Sequence, residues 1–199
     1  MTNRERVISL SIKHKLSHVG SCLTALGIIE EIYAKKKPEE KFILSSGHAH
    51  LAHLVVEESA GIIQGDGLDV RLEKWGIHCD RRAGCDVSTG SLGQGLAVAV
   101  GMALANKNHD VYCLISDGET AEGSIWEALR IAKEQKLDNL KVYANFNGFG
   151  ALGATDLDYL EARIKTFGFP VEIRRTDAGL GKWAQGVMAH YKIADGELE

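Results

Sequence analysis

The feature that most constrains this chain is the unbroken apolar run at 111–115, Val-Tyr-Cys-Leu-Ile, set between two helical patterns. A run of that length with no polar alternation suits a strand buried on both faces, as in a parallel sheet covered by helices. The segments around it keep the same alternation. Helices are expected at 93–106, 124–135 and 157–166, and strands at 141–144 and 171–173. Upstream, helices are expected at 3–16 and 23–33, a short strand at 41–44, and a helix through Leu51, Leu54 and Val55. Residues 60–90 are Gly-rich and polar without clear periodicity, and read as a long loop layer. The economical architecture is α/β, a mainly parallel sheet with helices on both faces. Right-handed crossovers then gather the loops at the carboxyl ends of the strands, where ligands of such folds bind.

The 199 residues carry a net charge of −4 and suit a single domain over 1–199. A mildly acidic chain without a basic stripe is a poor match for nucleic acid. Basic residues break up the N-terminal apolar positions, and the weakly polar stretch 96–105 is too short for a bilayer, so neither a signal peptide nor membrane insertion is expected. Cys22, Cys79, Cys85 and Cys113 include no Cys-x-x-Cys pair. Zinc and thioredoxin-type chemistry are therefore not expected, and free thiols in a reducing cytoplasm are.

Two strand ends carry the informative chemistry. Ser116-Asp117-Gly118-Glu119-Thr120-Ala121-Glu122-Gly123 follows the run at 111–115, and Asn145-Phe146-Asn147-Gly148 follows the next strand. If these strands are neighbours, Asp117 and Asn147 meet. A carboxylate and an amide oxygen form a hard-oxygen pair suited to Mg²⁺ or Ca²⁺, with phosphate and water supplying the remaining ligands. Gly118 allows a phosphate to come close, beside the free amides of a helix N-terminus. Taken singly, Asp117 reads equally well as a helix cap and Asn147-Gly148 as a turn.

The segment Asp117-Gly118 to Glu122-Gly123, followed thirty residues after Asp117 by Asn147, resembles the thiamine-diphosphate signature of the transketolase family. Three further segments are similar to that family: Ser17-His18-Val19-Gly20-Ser21, Leu44-Ser45-Ser46-Gly47-His48, and Ser88-Thr89-Gly90-Ser91-Leu92-Gly93-Gln94-Gly95-Leu96, the last being the most specific. The resemblance covers roughly residues 10–170 and only the diphosphate-binding half of a full transketolase. It implies the N-terminal subunit of a split enzyme, with a thiamine-diphosphate-binding fold shortened at its C-terminal end.

The resemblance also implies roles. Asp117 and Asn147 would bind Mg²⁺ (or Ca²⁺) through side chains and Phe149 through its carbonyl. Gly118 would meet the diphosphate, and Gly90, Ser91 and Leu92 would line the cofactor. Glu122 would sit at a subunit interface or, equally, act as a first-turn carboxylate. His18, His48, His78 and His190 are the implied active-site histidines, His48 also touching cofactor, while His14 and His50 read as surface or packing residues. The implied reaction is transfer of a two-carbon ketol unit from a ketose (phosphate) to an aldose. The pyrimidine-binding domain with its activating Glu would lie on a separate chain, in an α2β2 assembly. A related thiamine-dependent synthase, a dehydrogenase E1-like subunit or a non-catalytic scaffold are the alternatives. Three departures stand out: Ser116 where the family has Gly, Phe146 where it has a polar residue, and Cys79 where it has Pro.

Overall fold

A computed structural model of the chain describes residues 1–65, 67–151, 153–184 and 190–198. Four strands, β1 (Lys41–Leu44), β2 (Val111–Ser116), β3 (Leu140–Phe146) and β6 (Val171–Arg175), form one sheet in the order β1-β2-β3-β6, every pair parallel. A two-stranded antiparallel hairpin, β4 (Phe149–Gly150) with β5 (Gly153–Ala154), sits beyond the carboxyl end of β3. The helices are α1 (Asn3–Lys13), α2 (Val19–Lys35), α3 (His50–Ser59), α4 (Gly67–Trp75), α5 (Gln94–Ala105), α6 (Gly123–Glu134) and α7 (Leu157–Thr166).

The pleat of the sheet divides the apolar residues into two layers. Phe42, Leu44, Tyr112, Leu114 and Tyr143 face α1 to α4. Ile43, Cys113, Ile115, Val142, Ala144 and Phe146 face α5, α6 and α7. All six residues of β2 are buried, as the apolar run requires. The edge strand β6 is only partly buried, and it ends in Arg174 and Arg175, charges that discourage further strand pairing.

Two sequence expectations need correction. Residues 60–90 are not all loop, because α4 occupies Gly67–Trp75 and buries Leu68 and Leu72, one turn apart, against the α1–α3 layer. Two buried apolar residues in a polar segment were too few to show a helical period. Asn145 and Phe146 also belong to β3 rather than following it. The Phe146 ring is fully buried on the α5–α7 side, so this departure fills the core and leaves the polar strand end alone.

Glycines set how closely the motif segments approach one another. A Cβ on Gly95 would lie 2.6 Å from the Ser45 Cα, and one on Gly47 would lie 2.5 Å from the Thr89 carbonyl oxygen. Both neighbours are backbone atoms that cannot swing aside. On the same helix as Gly95, Gly101 has open space at its Cβ position. Gly95→Ala should therefore destabilise the fold by about 1–3 kcal/mol through overpacking. Gly101→Ala should be neutral or stabilising by up to about 1 kcal/mol through helix propensity. Thermal unfolding of the two variants side by side checks both; equal behaviour would contradict the packing argument.

Candidate active site

The carboxyl ends of β1 and β2 and the start of α5 converge on one buried carboxylate. Glu119 is fully buried; its Oε1 accepts from Ser45 Oγ at 2.5 Å and from the Gly93 amide at 2.9 Å, and its Oε2 accepts from the Ser116 amide at 3.0 Å. One side chain thus ties the turn after β1, the start of α5 and the end of β2. Burial pushes the Glu119 carboxyl above its ordinary pKa, and the hydrogen bonds from Ser45, Gly93 and Ser116 pull it back.

The Asp117 and Asn147 turns touch, because β2 and β3 are neighbours with Ser116 beside Asn145. The Asp117 amide donates to the Asn145 carbonyl at 3.0 Å. Asp117 Oδ2 accepts from the Gly148 amide at 2.8 Å and Thr155 Oγ1 at 2.6 Å, and its Oδ1 accepts from the Gly118 amide at 3.1 Å. Asn147 Oδ1 accepts from the Phe149 amide at 3.0 Å, and its Nδ2 donates to Thr24 Oγ1 at 3.4 Å. Thr24 also takes a bond from Asn145 Nδ2 at 3.0 Å, so one hydroxyl on α2 orients both amides.

This environment fits a divalent cation and a diphosphate. Burial raises the Asp117 carboxyl above its ordinary range, partly offset by Thr155, Gly148 and Gly118. Every hydrogen bond it makes comes from a neutral group, so its charge is left for a cation to balance. A Cβ on Gly118 would lie 3.2 Å from the Gly150 Cα and 3.5 Å from the Phe149 carbonyl oxygen, so the space beside the acid exists only because the residue is glycine.

Of the expected site residues, His18, His48, His78, His190, Gly90, Leu92, Gly118, Asn147 and Phe149 line one cavity of about 200 Å³. Asp117 and Glu122 line an adjacent cleft of about 520 Å³, which shares Leu92 and Gly118 with the first. Ser91 is exposed and lines neither. Glu122 is exposed at the N-cap of α6 and makes no capping hydrogen bond. His14 binds Asp69 at 2.6 Å, joining α1 to α4. A larger cleft of about 600 Å³, near Lys136, Leu140 and Phe169, lies at the opposite ends of the strands, away from every motif.

The histidines form a cluster. The His18 ring centroid is 5.1 Å from that of His48 and 6.4 Å from that of His190. His18 has φ 63°, ψ 23° at the start of α2, a left-handed conformation uncommon outside glycine. Its amide donates to the His190 carbonyl at 2.9 Å. Burial, then the neighbouring His190, lowers the His18 pKa to about 4. Burial and His18 lower His48 to about 3. Burial also lowers His78 and His190, though Asp117 pulls His190 back up. A Cβ on Gly90 would lie 2.8 Å from His78 Cδ2, so glycine there admits the imidazole.

Sequence reading missed Glu119, Thr24 and Thr155. Glu119 stood inside a quoted motif, but a carboxylate in a polar turn gives no sign of burial. The threonines lie on α2 and just after β5, remote in sequence from the groups they orient.

Replacing Glu119 by Ala strands the buried Gly93 and Ser116 amides and should cost about 3 kcal/mol or more, measured by denaturant unfolding. His18 should titrate near 4 in NMR rather than near 6.5. Because its folded pKa lies below the unfolded value, its contribution to stability is complete above about 6.5 and declines as pH falls towards 4. A His18 titration at 6.5 would contradict the burial argument.

The chain matches the family model described as "Transketolase, thiamine diphosphate binding domain" over residues 18–178. It is 36% identical over 198 aligned residues to transketolase-like protein 2 of Mus musculus, covering 85% of this chain and 31% of that protein. It is 32% identical over 191 residues to one of the subunits of the apulose-4-phosphate transketolase of Phocaeicola vulgatus, covering 85% of this chain and 68% of that one. The chain thus spans about a third of the vertebrate relatives and two thirds of the bacterial one. Among solved structures, transketolase from Leishmania mexicana superposes with a TM-score of 0.74 at 21% identity, over 99% of this chain and 38% of that one, a likeness of fold. With the strand ends, the glycine contacts and these matches in agreement, the chain belongs to the transketolase family, as a thiamine-diphosphate-binding domain.

Proposed function

We propose that this chain is the diphosphate-binding subunit of a split transketolase that depends on thiamine diphosphate and Mg²⁺. It would move a two-carbon ketol unit from a ketose (phosphate) donor to an aldose acceptor. The observation that carries the reading is the junction of the Asp117 and Asn147 turns, through the Gly148 amide on Asp117 Oδ2, beside a cavity lined by four histidines.

Asp117 Oδ1 or Oδ2, Asn147 Oδ1 and the Phe149 carbonyl would hold the ion, with diphosphate and water completing the shell. Gly118 would give the diphosphate room, and Gly90 and Leu92 would line the rest of the cofactor. When bound, the cofactor's thiazolium supplies an electron sink for the pair released as the donor's C2–C3 bond breaks. The chain's own work is then binding and proton handling. Neutral His18, His48 and His190 accept hydrogen bonds from sugar hydroxyls. The negative charge of diphosphate and sugar phosphate would raise these imidazoles towards the working pH, where they can take a hydroxyl proton and return it to the acceptor. His78 would line the cavity beside Gly90.

A partner chain would carry the pyrimidine-binding domain and its activating Glu. The Phocaeicola relative, itself named as one subunit of a transketolase, supports a division between two chains. So does α5, which leaves Ala97, Val98, Gly101 and Leu104 exposed along one stripe, an apolar face suited to another protein. Exposed Ser91 and Glu122 flank the start of that helix and would join the same interface, in an α2β2 assembly. No helix among the described residues is long and apolar enough to cross a membrane. The cysteines at 22, 79, 85 and 113 are unpaired, in keeping with a cytoplasmic setting.

The test is reconstitution with a separately encoded chain that carries a pyrimidine-binding domain. The purified chain should show no ketol transfer, and the complex should show it. Asp117→Ala in the complex should weaken Mg²⁺-dependent thiamine diphosphate binding by about 100-fold or more, read by calorimetry. Full turnover by the single chain would refute the partner requirement. Binding that ignores both Mg²⁺ and Asp117 would refute the site.

A further inference from the structure

A second cluster lies behind the histidine-lined cavity. His50, His53, Cys79 and Cys85 are all buried, and one candidate ligand atom from each lies within 4.8 Å of all the others. Two ligands stand three residues apart on α3, hence on one face of the helix. The other two flank a closed turn. Asp80 accepts the Ala83 amide at 2.9 Å and the Cys85 amide at 3.3 Å on its carbonyl, and Gly84 turns the chain back with φ 102°. The turn is then fixed to β1, because Asp86 accepts the Phe42 amide at 3.0 Å and pairs with Lys41 at 2.8 Å.

The nitrogens are the telling observation. Nδ1 of His50 and Nδ1 of His53 are buried with no hydrogen-bond partner, a costly arrangement in a core. His50 Nε2 lies 3.2 Å from Cys85 Sγ. His53 Nε2 is taken by the Tyr33 hydroxyl at 2.5 Å, which itself reaches Glu57 at 3.2 Å. That leaves His53 Nδ1 for the cluster. A carboxylate–hydroxyl–imidazole chain of this kind is what orients a metal-binding histidine from outside.

We infer that His50, His53, Cys79 and Cys85 form a structural zinc site that pins the 79–85 turn to α3. The chemistry matches the ion. Two thiolates and two neutral imidazoles give Zn²⁺ a closed tetrahedral shell, and the assembly is electrically neutral, which suits its burial. Binding displaces the thiol protons to solvent. The spacing hid the site, because no Cys-x-x-Cys pair is present and His53 lies twenty-six residues before Cys79. The position also matters to the first site. The Cys79 carbonyl accepts the Thr89 amide at 3.1 Å, and Ser88 Oγ accepts the Arg81 amide at 2.9 Å, so the turn supports the 88–95 segment.

The experiment needs the full chain, alone or with its partner, metal analysis and the two metals Zn²⁺ and Co²⁺. Protein purified from zinc-supplemented medium should hold one zinc per chain after gel filtration. Replacement by Co²⁺ should give a tetrahedral d–d spectrum with a thiolate-to-cobalt charge-transfer band. Cys79→Ser with Cys85→Ser should abolish both. The wild-type cobalt spectrum reads thiolate ligation even if that variant does not fold. Three results would overturn the inference: absence of tightly held zinc together with an octahedral cobalt spectrum, zinc fully retained by the folded double variant, or a Cys79–Cys85 disulfide in metal-free protein purified without oxidant.

Discussion

The Glu119 carboxylate is the constraint on which the rest of the structure depends. It is a buried acid whose bonds all go to segments that must meet: Ser45 after β1, Gly93 at the start of α5 and Ser116 at the end of β2. A buried carboxyl costs stability unless fully satisfied, and here the satisfying donors are the loops themselves. The fold can bury Glu119 only by bringing three otherwise separate motifs into one register. Glycine does the same work sterically, since Gly47 and Gly95 abut the backbones of Thr89 and Ser45.

The chemistry inherits its geometry from that junction. Once the end of β2 is fixed, the parallel pairing of β2 with β3 puts the Asp117 turn against the Asn147 turn, and Thr24 and Thr155 set the rotamers. The histidines arrive from four other places: the strained start of α2, the turn after β1, the loop after α4 and the C-terminal segment. Acid, amide and imidazoles therefore rest on different elements, held together by the core beneath. The left-handed backbone at His18 is tolerated because α2 is anchored by ten buried residues. Ser91, Glu122 and one stripe of α5 are exposed.

Much of this was legible in the amino-acid order, for identifiable reasons. Residues 111–115 suited a doubly buried strand and form one, and the helix at α7 was read at its observed bounds, where the structure adds an Asp156 cap that accepts from the Tyr159 amide. The meeting of Asp117 with Asn147 followed from neighbouring parallel strands. What escaped were features decided by tertiary contact. α4 offers only Leu68 and Leu72 to the core, and the pleat turns Phe146, noted only as a departure from the family pattern, inward. His50 was read as a surface or packing residue; it is buried, beside Cys85, in a cluster whose members come from two distant segments. Composition and spacing carry no record of such meetings.

The central claim is that Asp117 and Asn147 jointly hold a divalent ion against a diphosphate. The most direct test replaces Mg²⁺ by Mn²⁺ in the reconstituted complex with thiamine diphosphate and measures the hyperfine coupling between manganese and ³¹P. The account predicts a strong coupling in the wild type and its disappearance on Asn147→Ala. Manganese bound without coupling to phosphorus, or a coupling indifferent to Asn147, would contradict it.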